Sequence, residues 1–143
     1  MNKWELEDRT KRFALRIIAF VASLPRGRIG DVIGYQLLKA GTSVGANYRE
    51  ANSAESRNDF IHKVAIVEKE SSESRYWLEL IHESNLGEVS ERTWLLTEAG
   101  NFWRFLRRLE SRQNLIVGAR TNRTVKTKSE IRNPKSEIEL GGD

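Results

Sequence analysis

A chain of 143 residues, 38% hydrophobic and 31% charged, can bury one core, and no apolar run nears the ~18–20 residues of a membrane-spanning helix. The absence of cysteine excludes disulfides, thiolate metal sites and cysteine nucleophiles, and it fits a reducing cytoplasm. The net charge of +4 comes from 24 cationic and 20 anionic side chains mixed along the chain, so nucleic-acid contact is permitted but not required. The opening "MNKWELEDRTKR" is charged and lacks the apolar segment of a secretory signal, so a cytoplasmic protein with no membrane role is expected.

Four segments carry helical periodicity, and none shows strand alternation. In the first, Leu6, Thr10, Phe13, Ile17, Phe20 and Leu24 recur at spacings of four and three, a face widened by Ala14, Ile18 and Val21. "LPRGR" stops it, because Pro25 disfavours helical geometry at Leu24 and Gly27 supplies a turn. The second runs from about Ile29 to Ala51, with Ile29, Ile33, Leu37, Ala40, Val44, Asn47 and Ala51 on one face. The third opens at Ser56, an N-cap with Asp59 as its capping-box partner, and carries Phe60, Val64, Val67, Ser71, Ser74, Leu78 and Ile81. The fourth, capped by Ser90, follows Leu95, Ala99, Phe102, Leu106, Leu109 and Gln113, with Trp94, Trp103 and Phe105 off that stripe.

Four such helices of ~20–28 residues with short connections predict an all-α fold, an antiparallel up-down four-helix bundle over residues 1–117. The stretch 118–143 has no aromatic residue and few apolar ones. Pro134 interrupts any helix between its two "KSEI" copies, at Lys128–Ile131 and Lys135–Ile138, so a disordered C-terminal tail is expected. The mixed charges of that tail argue against a basic arm for nucleic acid.

The second helix carries Gly34, Gly41 and Gly45, each costing roughly 0.5–1 kcal/mol relative to alanine. Close approach of a neighbour offsets such a cost. Ala40, Gly41, Ser43, Gly45 and Ala46 form a shallow trough, and the third helix offers small partners in Ala65, Ser71, Ser72 and Ser74. Contact between the second and third helices is therefore expected. Polar ridges follow the same helices: Gln36, Ser43, Asn47 and Glu50 on one, Lys63, Glu70 and Glu73 with Trp77 on the other. Facing each other, they would form a hydrogen-bonded network, because buried charge is tolerated only when paired. Such a network either fixes the register of helices or subunits, or makes a polar groove that receives another chain.

Cationic rows are the leading candidates for a working surface. Arg9, Arg12 and Arg16 share a face of the first helix; Arg104, Arg108 and Arg112 repeat every four residues on the fourth, with Arg107 beside them. Rows of this kind grip RNA phosphates through paired hydrogen bonds and counterion release. The plainer reading is solubilising charge, part of it suited to the helix dipole. A di-metal bundle centre needs Glu-x-x-His pairs on two helices, but Glu79…His82 and the related Asp59…His62 spacing both lie on the third, so no metal or cofactor is expected. No nucleophile elbow or phosphate loop appears, and nothing places a pocket around Glu70 and Glu73; no catalytic residue and no enzymatic activity are expected. Trp4, Trp94, Trp103, Tyr35, Tyr48 and Tyr76 exceed what one slim core needs, and outward aromatics mark subunit contacts, which points to a homo-oligomer.

"SVGANYREA" followed by "SRNDFIHKVAIVEKESSESRYWLELI" resembles the bacterial four-helix-bundle family whose founding members are encoded in 23S rRNA intervening sequences. The family pattern of a small-residue segment ending in Ala-Asn-x-x-Glu falls on Ala46, Asn47 and Glu50. Its later Ser, Phe, Lys, Lys-Glu and Tyr-Trp-Leu positions fall on Ser56, Phe60, Lys63, Lys69, Glu70, Tyr76, Trp77 and Leu78. Gly45 and Ala51 stand where many members carry proline and glycine, which suggests a subgroup. The likeness covers about Ser23 to Ile81 strongly and the fourth helix weakly. It implies a small helical bundle, often a homopentameric ring, with no established enzymatic activity. A related accessory protein of diversity-generating retroelements is a basic pentamer that works with a reverse transcriptase and nucleic acid. The expected function is thus a non-enzymatic, RNA-associated accessory or scaffold acting as a homo-oligomer. The alternative is a protein–protein module with a polar inter-helix groove and no nucleic-acid role.

Overall fold

The computed structural model describes residues 1–131, with side chains to residue 125. Four helices follow one another: α1 (Lys3–Ser23), α2 (Arg28–Asn52), α3 (Arg57–Glu83) and α4 (Val89–Ile131). The chain divides into two compact units, Met1–Glu110 and Ser111–Asp143. The second is helical as far as it is described, through Ile131, with Leu115, Ile116 and Val125 exposed. Helix therefore continues over 118–131, past the boundary expected at residue 117. The rest of the expected disordered tail, 132–143 with the second "KSEI" copy, lies outside the described residues.

The first unit is the up-down bundle that the periodicity predicts. Along α1, Thr10, Ile17 and Val21 meet Gly45, Gly41 and Gly34 of α2 in reverse order, so these helices are antiparallel. Arg9 bonds Glu98 and Arg16 bonds Glu91, which makes α1 and α4 antiparallel too. On the far side Arg75 of α3 lies over Trp103 of α4, and Glu68 meets Glu110. The stripes read from sequence form the core: Leu6, Phe13 and Ile17 of α1, Val64, Val67, Leu78 and Ile81 of α3, and Leu95, Phe102 and Leu106 of α4 are fully buried. Phe13 meets Phe102 edge to face, with ring centroids 5.3 Å apart. On α2, Leu37, Ala40, Val44 and Ala51 of the expected face are buried, but the face differs at its edges. Ile29 is 66% exposed and Asn47 half-buried, while Tyr48 and the three glycines are buried.

The expected contact between α2 and α3 is present, but the glycines of the trough are not part of it. A Cβ on Gly41 would collide with Ile17 Cδ1; one on Gly45 would stand 3.2 Å from Thr10 Oγ1, and one on Gly34 3.1 Å from Val21 Cγ1. All three contacts are on α1. The glycines therefore admit the preceding helix, and Ser71 and Ser74 of α3 are buried small residues whose hydroxyls donate to Val67 O (2.9 Å) and Glu70 O (2.7 Å) of their own helix.

Local chemistry sets the ends. At α1, Glu5 N–H donates to Asn2 Oδ1 and Asn2 N–H to Glu5 Oε2, both at 2.9 Å, a complete capping box. Ser56 caps α3 as expected, accepting from Asp59 N–H at 3.1 Å; the Asp59 carboxylate accepts from Glu55, at 3.3 Å, rather than from Ser56. At α4 the cap is a carboxylate, not the Ser90 hydroxyl: Glu88 accepts from Ser90 N–H (3.0 Å), Ser90 Oγ (2.7 Å) and Glu91 N–H (2.8 Å). Bonds from Ser90 and Glu91 hold the Glu88 carboxyl below its usual range. The α3–α4 connection turns through left-handed Asn85 (φ 56°) and Gly87 (φ 72°) and is pinned by the buried Arg92, which donates to Gly87 O at 2.7 Å.

Gly41→Val should lower stability by about 1–3 kcal/mol as Ile17 is driven from its site. Gly100→Ala should raise it by about 0.5–1 kcal/mol, because the nearest atoms to its added Cβ are 3.8 Å away on Arg104. Thermal or urea unfolding reads both; an unchanged midpoint for Gly41→Val contradicts the α1–α2 packing.

Candidate nucleic-acid interface

The two cationic rows have different fates. On α1, Arg9 Nε and Nη2 donate to the two oxygens of Glu98, both at 2.9 Å, and Arg16 Nε and Nη2 to Glu91 at 2.8 and 2.7 Å. Each guanidinium also covers an aromatic ring of α4. Arg16 lies 3.5 Å from the Trp94 centroid and Arg9 5.4 Å from that of Phe102. Arg9 and Arg16 are therefore a double clasp between α1 and α4, their forks filled by carboxylates rather than open to phosphate. The bond from Arg16 holds the Glu91 carboxyl below its ordinary value and raises the Arg16 pKa in return. Arg12 pairs with Asp8 at 2.7 Å on its own helix, with both side chains exposed, a contact worth at most a few tenths of a kcal/mol, about 0.3–0.5.

The clasp is visible in the sequence as two spacings of seven, Arg9/Arg16 and Glu91/Glu98, which run in opposite senses on antiparallel helices. Arg92 also leaves a trace: it sits three residues before Leu95 on the apolar stripe, where a cation must be buried and bonded.

On α4, Arg104, Arg107 and Arg108 are exposed. Arg104 donates to Asn101 Oδ1 at 2.9 Å, and Asn101 reaches Glu98 at 3.4 Å, an outward extension of the clasp. Arg107 lies 5.2 Å from the Trp103 centroid, and Arg75, paired with Glu79 at 3.0 Å, lies 5.4 Å from it. No side-chain bond joins Arg108 to another of the described residues. Arg112 is exposed and belongs to the second unit.

The expected polar ridges bond along their own helices. Ser43 donates to Lys39 O at 2.6 Å, Asn47 to Ser43 O at 2.8 Å, and Lys63 pairs with Asp59 at 3.1 Å. Trp77 Nε1 reaches Glu73 at 3.5 Å. Gln36 is half-buried and Glu50 exposed. Burial, with the charge of Glu73 beside it, pushes the Glu70 pKa up, against opposing pulls from Lys69 and Lys39. Among the described residues no group of three or more His, Asp and Glu could hold a metal ion, and no helix is long and apolar enough to cross a membrane. His62 is exposed and His82 half-buried, both on α3.

A carboxylate whose folded pKa is depressed adds stability above its unfolded pKa and loses it as pH falls through the folded value. Glu91→Gln should therefore destabilise the protein by about 1 kcal/mol at neutral pH, with the deficit shrinking as pH drops below the usual carboxylate range. Unfolding midpoints of both proteins across pH check this; a deficit independent of pH contradicts the clasp.

Comparison with known proteins agrees with this architecture. Residues 2–108 match the family described as 23S rRNA-intervening sequence protein. A crystal structure of a protein of unknown function from the S23 ribosomal protein family of Bacteroides thetaiotaomicron is 32% identical, with a TM-score of 0.70, and the alignment covers 78% of this chain and 99% of that one. No curated protein matches. The bundle is thus that of a recognised lineage: the chain belongs to the 23S rRNA-intervening sequence protein family.

Proposed function

We propose that this chain is a non-catalytic, cytoplasmic accessory protein that self-associates and contacts RNA phosphates through the outer face of α4. The observation that carries the reading is the contrast between the rows: Arg9 and Arg16 are filled by carboxylates, whereas Arg104 and Arg108 are exposed and bonded to no carboxylate among the described residues. Such contacts position RNA without reading its sequence. Arg107, and Arg112 of the second unit, would add to the same chemistry. The polar-groove alternative is less well supported, because the bonded members of its ridges stay on their own helices. A reverse transcriptase remains a partner suggested by the likeness to retroelement accessory proteins.

Self-association is supported by apolar side chains left open on α1 and α2: Leu15 (56% exposed), Ile18 (49%), Val32 (55%) and Tyr35 (62%). Together with Ile29 they leave apolar surface that a second copy would cover. A pentamer is the assembly that the family likeness implies.

Binding of a generic RNA should weaken steeply with salt, and Arg104→Ala with Arg108→Ala should lower the log–log slope by about 1–2. No binding at low salt removes the RNA reading. Solution mass should exceed that of one 16.5 kDa chain. A monomer at working concentration removes the self-association reading.

A further inference from the structure

The α1–α2 seam carries a groove of about 210 Å³ that none of the readings above uses. It is lined by Ala14, Gly45 and Ala46, by Thr10 and Thr42, and by the cations Lys11 and Arg49. The missing side chain at Gly45 lets Thr10 of α1 come close beside the groove. Both threonine hydroxyls already donate to backbone: Thr10 to Leu6 O (2.9 Å) and Glu7 O (3.0 Å), Thr42 to Leu38 O (2.7 Å). The donors left to a ligand are Lys11 and Arg49. Both are exposed, and neither forms a side-chain hydrogen bond or ion pair among the described residues. The acids nearest Lys11 in sequence are engaged elsewhere, Asp8 by Arg12 at 2.7 Å and Glu7 by Asn52 at 2.8 Å.

We propose that this groove binds phosphate groups, with Arg49 supplying a bidentate fork and Lys11 a second, mobile charge. Two unneutralised cations on one concavity make an anion the fitting ligand. Two alanines and a glycine give a peptide little apolar area to grip, and a lone carboxylate satisfies Arg49 without engaging Lys11. A phosphate has oxygens for both. The volume suffices, being several times the roughly 30 Å³ of one water molecule. The phosphate is either an RNA phosphodiester or a free polyphosphate. The site is independent of the arginines on α4.

Amide chemical shifts of the full chain, followed during titration with pyrophosphate and separately with a short oligouridine, test the proposal. At least one ligand should shift the Gly45 and Ala46 amides, and affinity there should drop roughly tenfold or more in the exposed-site double variant Lys11→Gln/Arg49→Gln. The Arg104→Ala/Arg108→Ala variant should keep the groove shifts with pyrophosphate, so failure of the α4 reading and failure of this one are separable. Tighter oligouridine binding assigns the phosphate to RNA; tighter pyrophosphate binding assigns it to a free polyphosphate; either supports the site. Unmoved Gly45 and Ala46 amides with both ligands, or an unchanged affinity in the double variant, overturns it.

Discussion

The bundle depends on how closely α1 lies against the glycine-bearing face of α2. With Gly41 admitting Ile17 and Gly45 admitting Thr10, the rotation of α1 about its own axis is fixed. Each residue turns the helix by about 100°, so one rotation assigns every other position on it. Thr10, Ile17 and Val21 face α2. Leu6, Phe13 and Phe20 turn into the core. Arg9 and Arg16 arrive at α4, where Glu98 and Glu91 receive them. Lys11 and Ala14 come to the open side of the α1–α2 seam. A side chain at residue 41 would disturb all of these placements at once.

That rotation also sorts the cations by task. A guanidinium that donates twice to a carboxylate and covers a ring holds helices together, and its charge is already balanced. Arg92 does comparable work in the α3–α4 connection, where its buried head collects backbone carbonyls. What remains for a partner is the exposed remainder, which includes the outer face of α4 and the α1–α2 groove. Sorting charge in this way says more than a net charge of +4, which counts clasp and surface alike.

Much of the fold is legible in the residue pattern because burial follows a period of 3.6 residues: all six stripe residues from Leu6 to Leu24 are buried, and so are those of α3 beyond Phe60. The trough on α2 is legible as a place of close contact but not as contact with α1. Periodicity gives a helix its face, whereas α2 has two neighbours, and Ser71 and Ser74 make α3 look the better match. The cap of α4 falls two residues earlier than the pattern suggests, because a carboxylate at Glu88 can accept from two amides where the Ser90 hydroxyl accepts from one. Arg9 and Arg16 look like a phosphate-binding row for a related reason: their spacing is the same whether the partner is an RNA strand or a row of glutamates on the next helix. The family resemblance, legible in the motif residues from Ala46 to Leu78 and matched over residues 2–108, is informative about the bundle and silent about which arginines stay open.

The packing that fixes these assignments is open to direct observation in solution. Nuclear Overhauser contacts from the α-protons of Gly41 and Gly45 should run to the methyl groups of Ile17 and Thr10 on α1. Contacts from those glycines to Ala65, Ser71 or Ser74 of α3 instead would place α2 in the other orientation. The clasp, the groove and the division of the arginines would then fall together.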